Sequence, residues 1–380
     1  MPELPEVETI AHDLRGLVAG ARVTAVRSNW PRTLRSHSPE GFARAVAGRT
    51  IDGVGRRGKQ LLVWLGPADH AAESEIGAAE AAPAAAEPAV MTVHLKMTGQ
   101  LFVVPAGAPQ DRHVHMVLAL ADGRELRFRD MRKFGRVGLY RRDPDTGLPG
   151  DGEAVGVLAS GPEPLADDFT AAQFAALLAR RRGRLKTLLL NQDFVAGVGN
   201  IYADESLWRA RLHPLRDAHT VSPGEARRLH VALRDVLAEA VERRGSSVDD
   251  YTAPEGDGSM QEHLAVYQRA GEPCLRCGRP VRRIVVGGRS THYCGWCQRL
   301  PADQRRAVAA PSVRPGGFGR RGPRWTELSG AGTVGRTAAE EATVAAQAEE
   351  RARRVAAART AAAARRAAAR RGAAESGESA

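Results

Sequence analysis

The sequence predicts an α+β multidomain protein, with an N-terminal antiparallel β-sandwich and flanking helix, a helical domain, a C-terminal four-cysteine zinc hairpin and a disordered basic tail. Short segments of alternating polarity, typical of strands, dominate the chain before residue 142. From Ala166 onward the apolar spacing becomes helical. All four cysteines lie between positions 274 and 297, which indicates a small metal-bound unit.

Changes in pattern and composition give the expected domain boundaries. Residues 67–90 are mostly Ala, Glu and Pro with little periodicity, so we interpret them as a disordered insertion between two strands. We expect the β-sandwich domain at 1–142, a linker at 143–165 and the helical domain at 166–252. A loop with the cysteine hairpin follows at 253–300, and a disordered or fluctuating-helix Ala/Arg-rich tail at 301–380. The tail either contacts nucleic acid non-specifically or is an inert solvated segment.

Composition narrows the classes of function. The hydrophobic fraction of 43% is enough for buried cores, and the net charge of +11 with a pI near 10.2 favours a polyanionic partner. The clustered cysteines favour a metal site over a disulfide framework. The sequence shows neither a secretory signal nor an apolar run of membrane-spanning length. We therefore expect a soluble cytoplasmic protein that binds nucleic acid and no membrane.

The N-terminal domain is predicted to begin with a helix and to continue as strands. Pro5 suits the first helical turn, Glu6 lies where the helix dipole favours a carboxylate, and apolar residues recur at helical spacing as far as Val18. An Asp-Gly pair at 122–123 is a hairpin-turn signal. Alternation predicts strands at 22–27, 50–54, 60–65, 91–95, 100–104, 113–120, 125–129 and 137–140.

The helical domain is predicted from caps and apolar spacing. Thr170 caps one helix, and a Ser-Pro-Gly-Glu capping box at 222–225 begins another helix that reaches about Arg244. Between them, an apolar run at 185–190 and a Gly-Val-Gly-Asn turn at 197–200 precede a further helix. A helix, a glycine turn and a second helix are a common means of holding DNA phosphates.

The cysteines have the spacing of a zinc site. Cys274 and Cys277 form one C-x₂-C pair, Cys294 and Cys297 form a second, and sixteen residues separate the two pairs. Two such knuckles can present four thiolates tetrahedrally to zinc, and a closed four-sulfur site is structural rather than catalytic. Redox pairing of the cysteines is the alternative. The hairpin between the knuckles carries several arginines, which suit a DNA backbone.

The first ten residues carry the strongest chemical signal. If Met1 is removed, Pro2 exposes a secondary amine whose pKa of ~8 leaves a usable neutral fraction at neutral pH. Such an amine can attack a sugar C1′ and form a charged iminium, and Glu3 beside it can donate or accept a proton. The alternative is that the Pro-Glu repeat only caps the N-terminal helix.

Several motifs resemble those of the formamidopyrimidine-DNA glycosylases, bacterial base-excision enzymes for oxidised purines. They include Pro-Glu-Leu-Pro-Glu-Val-Glu-Thr at 2–9, His-Leu-Lys-Met-Thr-Gly at 94–99, Asp-Met-Arg-Lys-Phe-Gly at 130–135, Gly-Val-Gly-Asn-Ile-Tyr-Ala-Asp-Glu at 197–205 and the end of the cysteine hairpin at 288–298. The resemblance implies a helix–two-turn–helix domain, one structural zinc and a monomer that binds damaged double-stranded DNA at the bacterial nucleoid. It also implies a bifunctional glycosylase and apurinic/apyrimidinic lyase for 8-oxoguanine and formamidopyrimidines, acting through a Schiff base followed by β,δ-elimination.

The same resemblance assigns roles to residues that match the family motifs. Pro2 would be the nucleophile and Glu3 a proton shuttle, while Lys59 would assist the first elimination and Arg289 the second. The side chains that fill the gap left by the flipped base would be Met97, Arg132 and Phe134. Contacts to DNA would come from His113, Arg132, Arg181, Lys186 and Asn200. For the histidine, a half-buried strand position without a DNA contact is the alternative.

The chain departs from the family pattern at several positions. Lys96 stands where glycine is usual, and Met131 and Lys133 replace the usual proline and arginine. The loop at 250–261 lacks the Gly-Tyr-Phe stretch common in the family loop over the oxidised purine, which leaves lesion preference open. One alternative is therefore an endonuclease VIII-like glycosylase for oxidised pyrimidines, although Leu4 argues against it. An alternative of another class is a non-catalytic zinc-ribbon DNA-binding protein.

Overall fold

The computed structural model describes residues 1–35, 37–68, 86–150, 160–246 and 258–309. Most of the expected insertion, most of the altered loop and nearly all of the expected tail lie outside these ranges. None of the helices in the described ranges is both long enough and apolar enough to cross a membrane.

The N-terminal part contains two four-stranded antiparallel sheets, which confirms the predicted β-sandwich. The strands are Val23–Ser28 (β1), Arg49–Arg57 (β2), Gln60–Ala68 (β3), Ala89–His94 (β4), Gly99–Pro105 (β5), Val114–Leu120 (β6), Arg124–Asp130 (β7) and Arg136–Arg141 (β8). One sheet has the order β1–β6–β7–β5 and the other has the order β2–β3–β4–β8. Apolar side chains from both sheets share one core.

Two helices flank the sandwich. Helix α1, Leu4–Val18, follows the predicted Pro-Glu start and buries its apolar face in the sandwich core. Helix α2, Pro39–Val46, is an addition to the predicted elements. Ser38 Oγ accepts a hydrogen bond from Gly41 N at 3.0 Å and so caps α2, and Phe42 anchors it in the same core.

Four further helices form the predicted helical part. They are Ala171–Ala179 (α3), Leu185–Leu190 (α4), Asn200–Ala210 (α5) and Pro223–Glu242 (α6). The capping boxes predicted at Thr170 and Ser222 are both formed. These helices enclose a second apolar core, which also receives Leu4 from the start of α1. Because the rest of α1 packs in the sandwich core, the N-terminus lies at the junction of the two cores.

The cysteine region forms the predicted hairpin. Strands Arg282–Val286 (β9) and Arg289–Tyr293 (β10) pair antiparallel. Gly287 and Gly288 turn the chain between them with φ of +56° and +74°, a left-handed backbone that glycine adopts without strain. Together with the sandwich and the helical part, this hairpin confirms the predicted fold class.

The start of the expected tail is helical. Residues Ala302–Ala309 form helix α7, where the sequence predicts a disordered chain or a fluctuating helix. Gln304 is buried, its side-chain oxygen accepts a hydrogen bond from Asp217 N at 2.9 Å, and its amide donates to Thr220 Oγ1 at 3.0 Å. The sequence pattern does not indicate this docking, because the partners of Gln304 lie more than eighty positions earlier in the chain.

Candidate active site and DNA-binding surface

One buried carboxylate organises the chemistry predicted at the N-terminus. Glu3 is 2% exposed, and its carboxylate accepts hydrogen bonds from Gly199 N at 2.8 Å and from Ile201 N at 2.9 Å. Burial raises the pKa of Glu3, and the charge of Lys59 opposes that shift. A carboxyl group with a raised pKa next to Pro2 is suited to proton transfer.

Two glycines let the turn before α5 approach the N-terminus. Leu4 N donates to Gly197 O at 3.0 Å. A Cβ at Gly199 would lie 2.3 Å from Cδ of Glu3, and a Cβ at Gly197 would lie 2.7 Å from Cβ of Leu4. Gly197 also has a φ of +79°. The turn predicted to hold a DNA phosphate therefore also holds Glu3, a second role that the sequence alone does not indicate.

Lys59 reaches the same centre from the hairpin between β2 and β3. Its side chain is buried, and Nζ donates a hydrogen bond to Val198 O at 3.0 Å. Burial lowers the pKa of Lys59, and the charge of Glu3 opposes that shift. The structure thus brings together three of the predicted catalytic residues, because Pro2 directly precedes Glu3.

Glu163 fixes this hairpin against the chain that leads into the helical part. Its carboxylate accepts hydrogen bonds from Arg56 Nη1 at 2.6 Å, from Arg57 Nη1 at 2.9 Å and from Gly58 N. Burial is the largest single influence and raises the pKa of Glu163, but the charge of Arg56 and the hydrogen bonds from Arg56, Gly58 and Arg57 together outweigh it, so the pKa is lowered. The sequence does not point to this residue, because its partners lie more than a hundred positions earlier in the chain.

A second buried carboxylate, Glu6, lies on the other side of Glu3. It accepts hydrogen bonds from Glu3 N at 2.8 Å, from Ser246 N at 2.8 Å and from the Tyr202 hydroxyl. Burial and the charge of Glu6 raise the pKa of Tyr202 well above its usual value. From the sequence, Glu6 is only a favourable charge at a helix start, since its partners lie 196 and 240 residues away.

Asn200 lies at the start of α5 and faces the hairpin formed by β9 and β10, which is called the finger hairpin from here on. Its Nδ2 donates to Ser290 O of β10 at 3.0 Å, and its Oδ1 is buried without a hydrogen-bond partner among the described residues. Arg289, at the start of β10, is exposed, and its charge contributes to the lowered pKa of Lys59. The positive charges of Arg289 and Lys59 therefore act on each other.

Lys186, which the resemblance predicts to contact DNA, is enclosed within the protein. It is fully buried, with Nζ 2.7 Å from Asp204 Oδ1, and it donates to Asn200 O at 2.8 Å. Its ammonium donates its hydrogen bonds inside the protein, so the structure does not support the predicted direct contact with DNA. An offset along the sequence cannot show which way a side chain faces. Arg181 is exposed and His113 is half-buried, and their DNA contacts stay predictions.

The predicted gap-filling side chains lie on two neighbouring loops. Met97, between β4 and β5, is 36% exposed, and Phe134, between β7 and β8, is 46% exposed. Thr98 joins the loops, because its hydroxyl donates to Asp130 Oδ1 and accepts from Arg132 N at 3.1 Å. The guanidinium of Arg132 lies 5.0 Å from the ring centroid of Phe134. Exposed apolar side chains with an arginine beside them suit insertion into a base stack.

Three departures from the family pattern lie on the two loops that carry the predicted gap-filling side chains. Lys96 and Lys133 both have a φ of +56°, which normally favours glycine. Lys96 N donates to His94 Nδ1 at 3.0 Å, and the Lys133 ammonium lies 4.0 Å from the ring centroid of Trp30. Met131 is 43% exposed, so the two loops present one more large apolar side chain than the sequence motifs indicate.

The four cysteine sulfurs form the predicted metal site. All four Sγ atoms lie within 4.8 Å of one another. Thiolates bound tetrahedrally at about 2.3 Å from one zinc lie about 3.8 Å apart, so this donor set fits a single zinc ion. Four protein ligands leave no position for a substrate. The ligands are Cys274, Cys277, Cys294 and Cys297.

Comparison with known proteins identifies the family. Models described as "Formamidopyrimidine-DNA glycosylase N-terminal domain", "Formamidopyrimidine-DNA glycosylase H2TH domain" and "Zinc finger found in FPG and IleRS" match residues 1–137, 160–252 and 271–300. A formamidopyrimidine-DNA glycosylase of Herpetosiphon aurantiacus is 46% identical over 300 residues, covering 78% of this chain and 100% of the relative. The Bacillus subtilis glycosylase is 41% identical over 301 residues, covering 78% and 99%. The chain belongs to the formamidopyrimidine-DNA glycosylase family.

Solved structures of formamidopyrimidine-DNA glycosylases share this fold. The MutM (Fpg) protein of Thermus thermophilus is 42% identical, with a TM-score of 0.64 over 78% of this chain and 98% of that chain. Lactococcus lactis Fpg in complex with DNA containing an abasic site is 33% identical, with a TM-score of 0.67 over 78% and 100%. The family matches end at residue 300, so the C-terminal segment lies beyond them.

Proposed function

We propose that this protein is a bifunctional DNA glycosylase and apurinic/apyrimidinic lyase that excises oxidised purines, such as 8-oxoguanine and formamidopyrimidines, in base excision repair. The observation that carries the proposal is the buried assembly of Glu3, Lys59 and the glycine turn next to the N-terminal proline. Membership of the glycosylase family supports the same activity. Acting on chromosomal DNA, the protein would work at the nucleoid in the bacterial cytoplasm.

Pro2 is the proposed nucleophile. Once Met1 is removed, its secondary amine adds to C1′ of the flipped nucleotide and the bond from C1′ to the base breaks. The nitrogen loses its proton, the C1′–O4′ bond of the sugar ring breaks and O4′ takes up a proton. The product is an iminium that links the enzyme to the ring-opened sugar. Glu3 shuttles protons at the sugar, because burial raises its pKa and so favours a protonated carboxyl.

Two eliminations then cut the strand on both sides of the lesion. The iminium acidifies C2′, so loss of a C2′ proton breaks the C3′–O bond, and subsequent loss of a C4′ proton breaks the C5′–O bond. We assign the first proton transfer to Lys59, whose pKa is lowered by burial. We assign to Arg289 the stabilisation of the phosphate that leaves in the second elimination. Hydrolysis of the remaining iminium by water frees Pro2 and releases the sugar fragment as an aldehyde.

Recognition of the lesion is assigned to the two exposed loops and to the start of α5. The base cannot be attacked inside the duplex, and unstacking it costs a few kcal/mol, which wedging side chains offset. Met97 and Phe134 would enter the gap, Arg132 would contact the orphaned base, and Asn200 would hold a phosphate at the start of α5. The complex of the Lactococcus lactis relative with abasic-site DNA supports binding to damaged DNA.

Borohydride trapping tests the proposed function. Incubation of the full chain with a duplex that contains 8-oxoguanine and with borohydride should give one covalent protein–DNA adduct, because reduction fixes the iminium. N-terminal sequencing should find Pro2 exposed. Faster reaction with thymine glycol would favour the endonuclease VIII-like alternative. Absence of an adduct with every lesion would leave only the non-catalytic DNA-binding alternative.

Arg132 should make cleavage depend on the base opposite the lesion. Cytosine offers acceptors at O2 and N3, whereas adenine presents a donor at its Watson–Crick edge. One such contact is worth ~1–3 kcal/mol, or about five- to more than a hundredfold. We expect fast single-turnover cleavage of 8-oxoguanine opposite cytosine, slow cleavage opposite adenine, and a smaller difference in Arg132→Ala. Arg124→Ala, at the far end of β7, should keep the full difference. Cleavage independent of the opposing base would contradict this role.

Removal of residues 310–380 should weaken the salt dependence of DNA binding. The truncated protein keeps α7, which is docked through Gln304. We expect unchanged cleavage of a short duplex and a lower slope of log affinity against log salt, by about 0.9 for each phosphate that the tail no longer neutralises. Binding isotherms at several salt concentrations measure the slope. An unchanged slope would show that the tail does not touch DNA.

A further inference from the structure

We propose that Asp204 is a positioning residue for the finger hairpin that carries Arg289, and that Lys186 balances its buried charge. The inference rests on the proposed function, because its expected effect is on the elimination assigned to Arg289. It accounts for a pair of side chains at the contact between α5 and β10 that the proposed mechanism does not use.

Asp204 and Lys186 form an enclosed ion pair. Both side chains are 0% exposed, and Lys186 Nζ lies 2.7 Å from Asp204 Oδ1. The ammonium also donates to Asn200 O at 2.8 Å, one turn earlier in α5. Compared with well-packed apolar side chains, a buried ion pair adds little net stability, so its presence calls for another role.

The second oxygen of Asp204 holds the backbone of the hairpin. His292 N donates to Asp204 Oδ2 at 2.8 Å, and His292 Nδ1 lies 3.4 Å from the same oxygen. On the same strand, Ser290 O accepts from Asn200 Nδ2 at 3.0 Å. Asn200 and Asp204 lie one turn apart on α5, so they share a helix face. Strand β10 is therefore fastened to α5 at two alternate residues.

The neighbouring carboxylate of α5 shows why Asp204 needs a cation. Glu205 is also buried, and it accepts hydrogen bonds from Ala265 N, Val266 N and Tyr267 N at 2.8–2.9 Å. Even these three N–H donors do not outweigh burial, which raises the pKa of Glu205. Asp204 has one backbone donor, from His292, and the ammonium of Lys186 supplies the remaining stabilisation.

Arg289 begins the strand that these bonds hold. It directly precedes Ser290 and lies three residues, or about 10 Å along a strand, before His292. A two-stranded hairpin is marginally stable alone. The zinc site constrains the cysteine end of the hairpin, whereas the bonds to α5 set the direction in which the arginine end extends. Loss of the Asp204 anchor should therefore displace Arg289 and leave Pro2 and Glu3 in place.

Paired double variants separate the backbone anchor from the buried charge. Lys186→Met with Asp204→Leu removes both charges and the acceptor, whereas Lys186→Met with Asp204→Asn keeps an amide oxygen for His292 N. On a duplex with a pre-formed abasic site, the leucine variant should give a borohydride adduct within about twofold of wild type. Its ratio of δ- to β-elimination product should fall about ten- to a hundredfold. The asparagine variant should keep the wild-type ratio.

Zinc content and a helix control complete the experiment. Arg209→Gln, on α5 like Asp204, removes an exposed ion pair with Glu239 of α6 and should change neither readout. An unchanged product ratio in the leucine variant, or an equal loss of adduct and of both products, would overturn the inference. If the leucine variant loses zinc, its product ratio no longer tests the Asp204 anchor. The asparagine variant is then the test, and a lowered ratio of δ- to β-elimination product in it would contradict the proposal. Absence of an adduct from the wild-type protein would instead reject the proposed function.

Discussion

Replacing Pro2 by glycine should lower the yield of borohydride-trapped adduct about a hundredfold or more. The proline nitrogen forms an iminium that is charged without a proton, whereas the primary amine of glycine forms an imine that must first be protonated. Glycine also loses the fixed ring geometry. The contacts of Glu3 with Gly199 and Ile201 do not involve the ring. Binding to a duplex with a non-cleavable abasic-site analogue should therefore stay within about twofold of wild type.

Pro5 provides the matched control for the nucleophile. It lies in the first turn of α1, where Pro5→Gly costs about 1 kcal/mol of helix stability and leaves the terminal amine intact. This variant should form the adduct at the wild-type rate. A full adduct from Pro2→Gly, with the modified peptide mapping to Lys59, would transfer the nucleophile to the lysine. Active protein that retains Met1 would contradict the assignment equally.

Replacing Cys294 by serine should abolish zinc binding and DNA cleavage together. Three thiolates and a hydroxyl hold zinc far more weakly than four thiolates, and structural zinc supplies about 10–16 kcal/mol to such small units. Without the metal, the hairpin loses the constraint at its cysteine end, so the finger arginine has no fixed place at the site. We expect one zinc per wild-type chain by metal analysis and almost none in the variant.

Leu275→Ser is the matched control for the zinc site. Leu275 lies within the first cysteine pair, is 42% exposed and is not a ligand. This variant should keep its zinc and its activity, because an exposed side chain contributes little to folding. A metal-free preparation of the wild-type protein with full activity would refute the structural role of zinc.

Local sequence signals were sufficient wherever the physical cause lies within a few residues. The caps at Thr170 and Ser222 depend on a side chain and a backbone group three positions apart, and the alternation of the strands depends on period two. The spacing of the two cysteine pairs is likewise sufficient to predict the metal site. These features also carry the family resemblance.

The features that escape prediction depend on partners far away in the chain. Nothing near Glu6 indicates its bonds to Tyr202 and Ser246, and nothing near Lys186 indicates that Asp204 draws its ammonium into the interior. In both cases the sequence predicts the helix that carries the residue, but it does not predict which other part of the chain the side chain contacts. The burial of Lys186, whose DNA contact is predicted by motif offset, is therefore a feature that the sequence does not indicate.

The junction of two cores at the N-terminus also sets when the enzyme can become reactive during its synthesis. Glu3 is bound by Gly199 N, 196 residues later in the chain. A ribosome adding 5–20 residues per second needs about 10–40 s to supply that partner. During this interval the terminal amine is an ordinary amine, accessible to the peptidase that removes Met1. A polypeptide released before Gly199 would carry the nucleophile without the groups that activate it, so abortive translation products should not crosslink to the chromosome.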